Sequence, residues 1–120
     1  MNKYFSKEEL ACVCCGECNM DEGFIEKLTR ARIAAGIPFV VDPRKGGSGY
    51  RCWKHNLEVG SASDNHPSGH AVDIKCTDSR SRYKIVKALL DVGFTRIGIH
   101  KAFIHVDDNP NQEPEVMWPY

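Results

Sequence analysis

The stretch from Thr95 to Asp107 admits few backbone arrangements. Ile97 and Ile99 recur at a spacing of two, and so do Ile104 and Val106. That period is the mark of strands with one buried face. Only a short segment separates the two runs, so a hairpin is expected. With Lys101-Ala102 as the turn, His100 faces Phe103, Ile99 faces Ile104, Gly98 faces His105 and Arg96 faces Asp107. The four β-branched residues then share one buried face. Gly98, His100, His105 and Asp107 share the other. A three-residue loop would mix the two faces, so the apolar pattern selects the register. Lys-Ala is a poor two-residue turn, and a four-residue loop of the same parity is the alternative.

The rest of the chain supplies material to cover that apolar face. Asp21 can cap a helix running to about Ala35, with Phe24, Ile25, Leu28 and Ala31 as its apolar stripe and Gly36 and Pro38 as its stop. A second helix is expected over Ser79 to Asp91, with Ile85, Val86, Leu89 and Leu90 facing inward and Gly93 at its end. Pro38 to Asp42 reads as a short strand, Lys45 to Gly49 as a loop, and Tyr50-Arg51 as the start of another strand. Cys52 to Gly60 holds a short helix, Ser61 to Gly69 is a loop by composition, and His70 to Lys75 alternates as a strand. The fold class is α+β: a small antiparallel sheet with helices on one face.

At 120 residues the chain suits a single domain spanning 1–120, one for which a bound metal would add useful stability. Sixteen basic residues balance sixteen acidic ones, so no nucleic-acid partner and no anionic membrane is expected. No apolar run approaches the ~20 residues that span a bilayer. The N-terminal residues turn acidic where a secretion signal needs its apolar core, which points to synthesis in the cytoplasm. The expected state is a monomer. Of the six cysteines, Cys12, Cys14, Cys15 and Cys18 cluster, while Cys52 and Cys76 stand apart. A structural zinc site usually joins two ligand pairs from separate parts of a chain. The cluster has no second C-x-x-C pair to join, so thiols rather than a second metal site are expected there, and one metal ion per chain.

That ion has an evident home. Zinc takes imidazole nitrogen, thiolate or carboxylate, and a catalytic site keeps one position open for water. The segment from Asp64 to Asp73 (DNHPSGHAVD) offers His66 in a loop and Asp73 on the following strand. His105 sits on a different strand. Asp73 points with Ala71, whose small side chain leaves room, whereas His70 points the opposite way. A carboxylate in an apolar strand is costly without a cationic partner.

These residues resemble a known pattern. The segment is similar to the S-x-H-x-x-G-x-A-x-D motif of the VanY/VanX-type zinc D-Ala-D-Ala carboxypeptidases, a family that includes phage endolysins cutting the L-Ala-D-Glu bond. His66, Gly69, Ala71 and Asp73 match in spacing, with Asp64 where serine is usual. The upstream S-G-Y-R element resembles Ser48 to Arg51, and N-x-x-V-G resembles Asn56 to Gly60. The G-I…I-H-V-D element resembles Gly98-Ile99 and Ile104 to Asp107, and a terminal W-x-Y resembles Trp118 to Tyr120.

The resemblance implies zinc bound by His66, Asp73 and His105, and Arg51 as the substrate-binding residue. Many relatives carry a catalytic Glu or Asp three residues before the last zinc histidine; here that position is Ala102. Another branch has a histidine five residues before it, which His100 matches as the catalytic group. The hairpin register independently puts His100 on the face of His105, roughly 7 Å away diagonally. Asp107 can orient the zinc histidine or pair with Arg96. His55 and His70 are expected at the surface, and Tyr50, Trp53 and Trp118 in a groove or in packing. The implied function is a zinc metallopeptidase acting on the peptidoglycan stem peptide, as a phage or prophage lysis enzyme that reaches the cell wall after release. The competing reading is a non-catalytic, zinc-stabilised phage structural or wall-binding module, which Ala102 motivates and Arg51 and His100 oppose.

Overall fold

The hairpin forms in the expected register. In the computed structural model, which describes residues 1–41 and 48–120, strand β2 (Arg96–Ile99) pairs antiparallel with β3 (Phe103–Asp107). Arg96 faces Asp107, Gly98 faces His105, and the amide of His100 donates to Phe103 O at 3.0 Å. Strand β1 (Ala71–Lys75) lies on the other side of β3, also antiparallel, with Asp73 directly opposite His105. A fourth strand that the sequence pattern did not announce, β4 (Val116–Pro119), runs parallel to β2, giving the sheet order β1-β3-β2-β4. The α+β class holds, with a mixed sheet in place of a purely antiparallel one.

Helices α2 (Glu22–Ala35) and α4 (Ser79–Asp91) pack on each other, and α4 packs on the sheet. Each starts at an aspartate whose carboxylate accepts an amide two or three residues into the helix: Asp21 from Phe24 and Asp78 from Ser81, both at 2.9 Å. Phe24, Ile25, Leu28 and Ala31 are buried as the stripe required. On α4 the inward residues are Ile85, Ala88 and Leu89. Leu90, expected inside, is exposed, because each residue turns ~100° around a helix and carries it off the Ile85–Leu89 face. These side chains meet Val72, Ile74, Ile97, Ile104 and Val106 in one core.

Other elements depart from expectation in instructive ways. A short helix α1 (Lys7–Leu10) opens with a reciprocal capping box between Ser6 and Glu9. Helix α3 (Trp53–Glu58) falls within the expected segment. Residues 38–41 form no strand. Pro38 has no N–H to give a ladder, and Val40 O takes a single bond from the Lys75 amide at 2.8 Å. Asp42 of that expected strand and Lys45 to Gly47 of the expected loop lie outside the described residues. Tyr50-Arg51 opens no strand either. The Tyr50 amide donates to Leu10 O at 2.8 Å, and the Cys52 amide to the Cys12 sulfur at 3.4 Å.

Gly98 holds the two halves of the sheet together. A Cβ there would lie 2.6 Å from Trp118 Nε1 and 2.8 Å from Tyr120 Cε1. The space that Gly98 leaves opposite His105 is filled by these two rings. Gly98→Ala should force β4 off the sheet or strain it, lowering stability by about 1–3 kcal/mol. A urea midpoint equal to that of the parent would show that the rings yield freely.

Candidate metal centre

Three elements deliver one candidate ligand each. Asp73 is the middle residue of β1 and His105 its partner on β3, so the ladder fixes their mutual position. His66 arrives on the loop before β1, which is tied down at several points. Gly69 (φ +78) ends that loop, and its carbonyl accepts the Asp21 amide at 2.9 Å. A Cβ on Gly69 would lie 2.1 Å from Asn19 O, so no other residue fits. Asp64, in the motif position where serine is usual, accepts from Asn109 at 2.8 Å, Gln112 at 2.9 Å and Asn111 at 3.0 Å. Asn109 also reaches Asn65 at 2.9 Å.

The three side chains converge. His66 Nε2 lies 3.5 Å from Asp73 Oδ2, and His105 Nδ1 lies 2.9 Å from Asp73 Oδ1. All three donor atoms fall within 4.8 Å of one another. The remaining ring nitrogens are engaged from behind. His66 Nδ1 donates to the Gly49 carbonyl at 2.8 Å, and His105 Nε2 donates to Asp107 Oδ2 at 2.7 Å. Outward bonds of this kind set the tautomer and leave the inner nitrogens free to ligate. Two imidazoles and a carboxylate at this spacing fit a zinc ion with an open position. His66 would bind through Nε2, His105 through Nδ1.

Asp107 plays both parts open to it: its other oxygen accepts from Arg96 Nε at 2.6 Å. His105, Asp107 and Arg96 thus form a buried chain behind the site. His70 points away as expected, but it is half-buried rather than at the surface, bonded to Asp108 at 2.7 Å with its edge on Phe24. His55 is likewise half-buried, within 4.0 Å of Glu58. Trp53 is exposed, Tyr50 is buried in the core, and Trp118 packs on His105 at 5.5 Å.

The remaining site residues border this cluster. Arg51 is largely buried, which lowers its pKa against the opposing charges of Asp73 and Tyr120. Among the described residues its Nε has no hydrogen-bond acceptor. His100 stacks on Phe103 at 4.4 Å and meets Tyr120 edge-on at 5.4 Å. Phe103 shares its side of β3 with His105, so His100 lies on the ligand face. Its Nδ1 accepts the Ala102 amide at 3.0 Å, so the neutral ring carries its proton on Nε2. Tyr120 is the residue whose role the sequence left unread. Its phenol pKa is raised by burial and by Asp73 and Asp107, so it borders the ligands.

A family model described as Peptidase M15 matches residues 3–107. The match ends at Asp107, leaving β4 with Trp118 and Tyr120 beyond it. No curated protein and no solved structure matches the chain.

Without metal, protons hold this site together. Burial alone would lower the His105 pKa, but its bonds to Asp107 and Asp73 outweigh that and raise it to about 9 from 6.5. Burial would raise Asp73, yet His66 and His105 hold it well below the usual carboxylate range. The His105 contribution is complete below the unfolded-state value of ~6.5 and is lost as pH climbs through ~9. The Asp73 contribution is present above ~4 and lost as pH falls. Chelator-treated protein should therefore show a falling Tm from about pH 6.5 to 9. A Tm that stays level over that interval would mean the His105 ring is neutral between its two carboxylates.

Proposed function

This chain belongs to the Peptidase M15 family of zinc peptidases, and we propose that it hydrolyses a peptide bond of the peptidoglycan stem. The proposed cut resembles that of the VanY/VanX-type D,D-carboxypeptidases or of the endolysins that open L-Ala-D-Glu. The observation that carries the reading is the His66, Asp73 and His105 cluster with Asp107 and Gly49 fixing its rings. A zinc ion bound there would lower the pKa of a water toward ~7 and polarise a substrate carbonyl.

The chain's own residues supply the remaining work. Arg51 has a half-sequestered guanidinium with an unclaimed donor, suited to a substrate carboxylate near the scissile bond. Stem peptides offer such a group at their terminal D-residue and at D-Glu. His100 presents Nε2–H, a donor for the negative charge that develops on the carbonyl oxygen. It takes the place that an acid occupies three residues before the last zinc histidine in other relatives, where this chain has Ala102. Trp118 and Tyr120 wall one side of the cleft. A half-buried arginine beside Asp73 with an unclaimed Nε–H is of more use to a catalyst than to a non-catalytic module, so the catalytic reading is preferred. The wall would be reached after release from the cell, in the manner of a phage lysis enzyme. Among the described residues no helix is long and apolar enough to cross a membrane.

Incubating the zinc-loaded protein with peptidoglycan and sequencing the new termini by mass spectrometry tests the proposal. A D-Ala released from the stem marks a carboxypeptidase, and a new N-terminal D-Glu marks the endopeptidase. Intact wall peptides under zinc-replete conditions would refute both.

Two substitutions separate anchoring from chemistry. Arg51→Ala should keep its zinc and lose roughly ten- to a hundredfold in kcat/KM, corresponding to a charged hydrogen bond of ~1.5–3 kcal/mol. His100→Ala should also keep its zinc but lose roughly 10²–10⁴-fold, mainly in kcat. Unchanged turnover in the second variant would make His100 a turn residue only.

A further inference from the structure

A second group of metal-ligating side chains lies outside this site. The sulfurs of Cys12, Cys15 and Cys52 all fall within 4.8 Å of one another. Cys14 is exposed on the same loop, next to Cys15 in the chain, and stands outside that group of three. The sequence offers no second C-x-x-C pair to complete the N-terminal cluster. The fold supplies the missing partner by bringing Cys52 across from the start of α3. We propose that Cys12, Cys15 and Cys52 hold a structural zinc ion, separate from the His66–Asp73–His105 centre, with the neighbouring exposed Cys14 thiol turning in as the fourth ligand.

The local backbone is shaped for it. The Cys12 amide donates to Glu17 O at 2.7 Å and the Gly16 amide to Cys12 O at 2.8 Å. These bonds close residues 12–17 into a tight loop that presents Cys12 and Cys15 on one side. Two amides point at sulfur: Cys52 N–H at Cys12 Sγ and His55 N–H at Cys52 Sγ, each at 3.4 Å. Amide donors to sulfur favour the thiolate over the thiol, and thiolate is the form that binds metal.

The chemistry also separates the alternatives. A disulfide uses two sulfurs and strands the rest, whereas a tetrahedral zinc site uses four, each at about 2.3 Å from the metal. Four thiolates leave no position open, so the ion would be structural. Its place in the fold gives it a task. Cys52 directly follows Arg51, and Cys12 lies two residues past Leu10, whose carbonyl holds the Tyr50 amide. The ion would fasten the N-terminal segment to the backbone that carries the arginine.

The test counts metals in protein purified under reducing conditions without chelator. Two zinc ions per chain are expected by elemental analysis. Asp73→Ala leaves the thiols untouched and should retain one. Its cobalt-substituted form should show an intense sulfur-to-cobalt charge-transfer band in the near ultraviolet. Cys15→Ser, at an exposed position, should lose that band while the histidine centre keeps its own ion. Iodoacetamide should label exposed Cys14 and Cys15 slowly in zinc-loaded protein and rapidly after chelation. Folded Asp73→Ala protein without metal would overturn the proposal. So would rapid labelling of Cys14 and Cys15 in the zinc-loaded parent, or a disulfide involving Cys52. Loss of only the histidine-bound ion from the parent would count against the peptidase reading instead, so the two readings fail separately.

Discussion

Asp107 is a fully buried carboxylate, and a buried charge survives only when it is paired on every side. Here Arg96 and His105 each take one oxygen, and the Asn109 amide adds a third donor at 3.2 Å. Each bond reaches a different part of the molecule. Arg96 is the residue opposite on β2, so the ion pair reinforces the ladder register. His105 is the metal-facing residue two positions back. Asn109 turns the chain toward the amide cluster around Asp64, and so fixes the loop that carries His66. Removing this carboxylate would leave the Arg96 guanidinium without its counterion and release the His105 ring from one of its two carboxylates.

The two faces of the sheet divide the labour. One face carries Ile97, Ile104, Val106, Val72 and Ile74 against α2 and α4, and that burial drives folding. The other carries Asp73, His105 and Asp107, whose desolvation opposes it. Such an arrangement is sustainable because the polar groups pair in sequence: Arg96 with Asp107, Asp107 with His105, His105 with Asp73, Asp73 with His66. A metal ion held by His66, Asp73 and His105 would take the place of the protons in that chain, and its binding energy would be folding energy.

This division is why so much of the site could be read from sequence. Period-two alternation fixes which face a residue occupies, so the hairpin register followed from the placement of four β-branched residues, while the grouping of Asp73 with His105 was implied by the family resemblance. Helices α2 and α4 were legible from their caps and apolar spacing. What escaped was long-range. Strand β4 has no alternating apolar pattern, enters through Glu115 at φ 60, and is held by rings packed over Gly98. Helix α1 is only four residues long, though its Ser6-x-x-Glu9 box was there to be seen. The Asp64–Asn109 bond joins residues 45 apart, and polar side chains of that sort carry no periodic signal. Cys52 shows the same limit: nothing in its neighbours announces that its thiol meets Cys12.

The segment around Arg51 is where these long-range contacts matter most for function. It has no ladder of its own. Its backbone is instead shared out: Gly49 O to His66, Tyr50 N–H to Leu10, Cys52 N–H to the Cys12 sulfur. A substrate-binding arginine needs a fixed origin, because an unpaired guanidinium gains affinity only if its placement is settled before substrate arrives. The Gly49 bond couples that origin to the ring of His66. The proposed thiolate-bound ion between Cys12 and Cys52 would fix the same segment from its other end. With both proposed ions bound, Arg51 would lie between two centres of different kind, one with an open position for chemistry and one closed for rigidity. Stiffness that other folds draw from a strand is supplied here by ligation and by single hydrogen bonds to three separate partners.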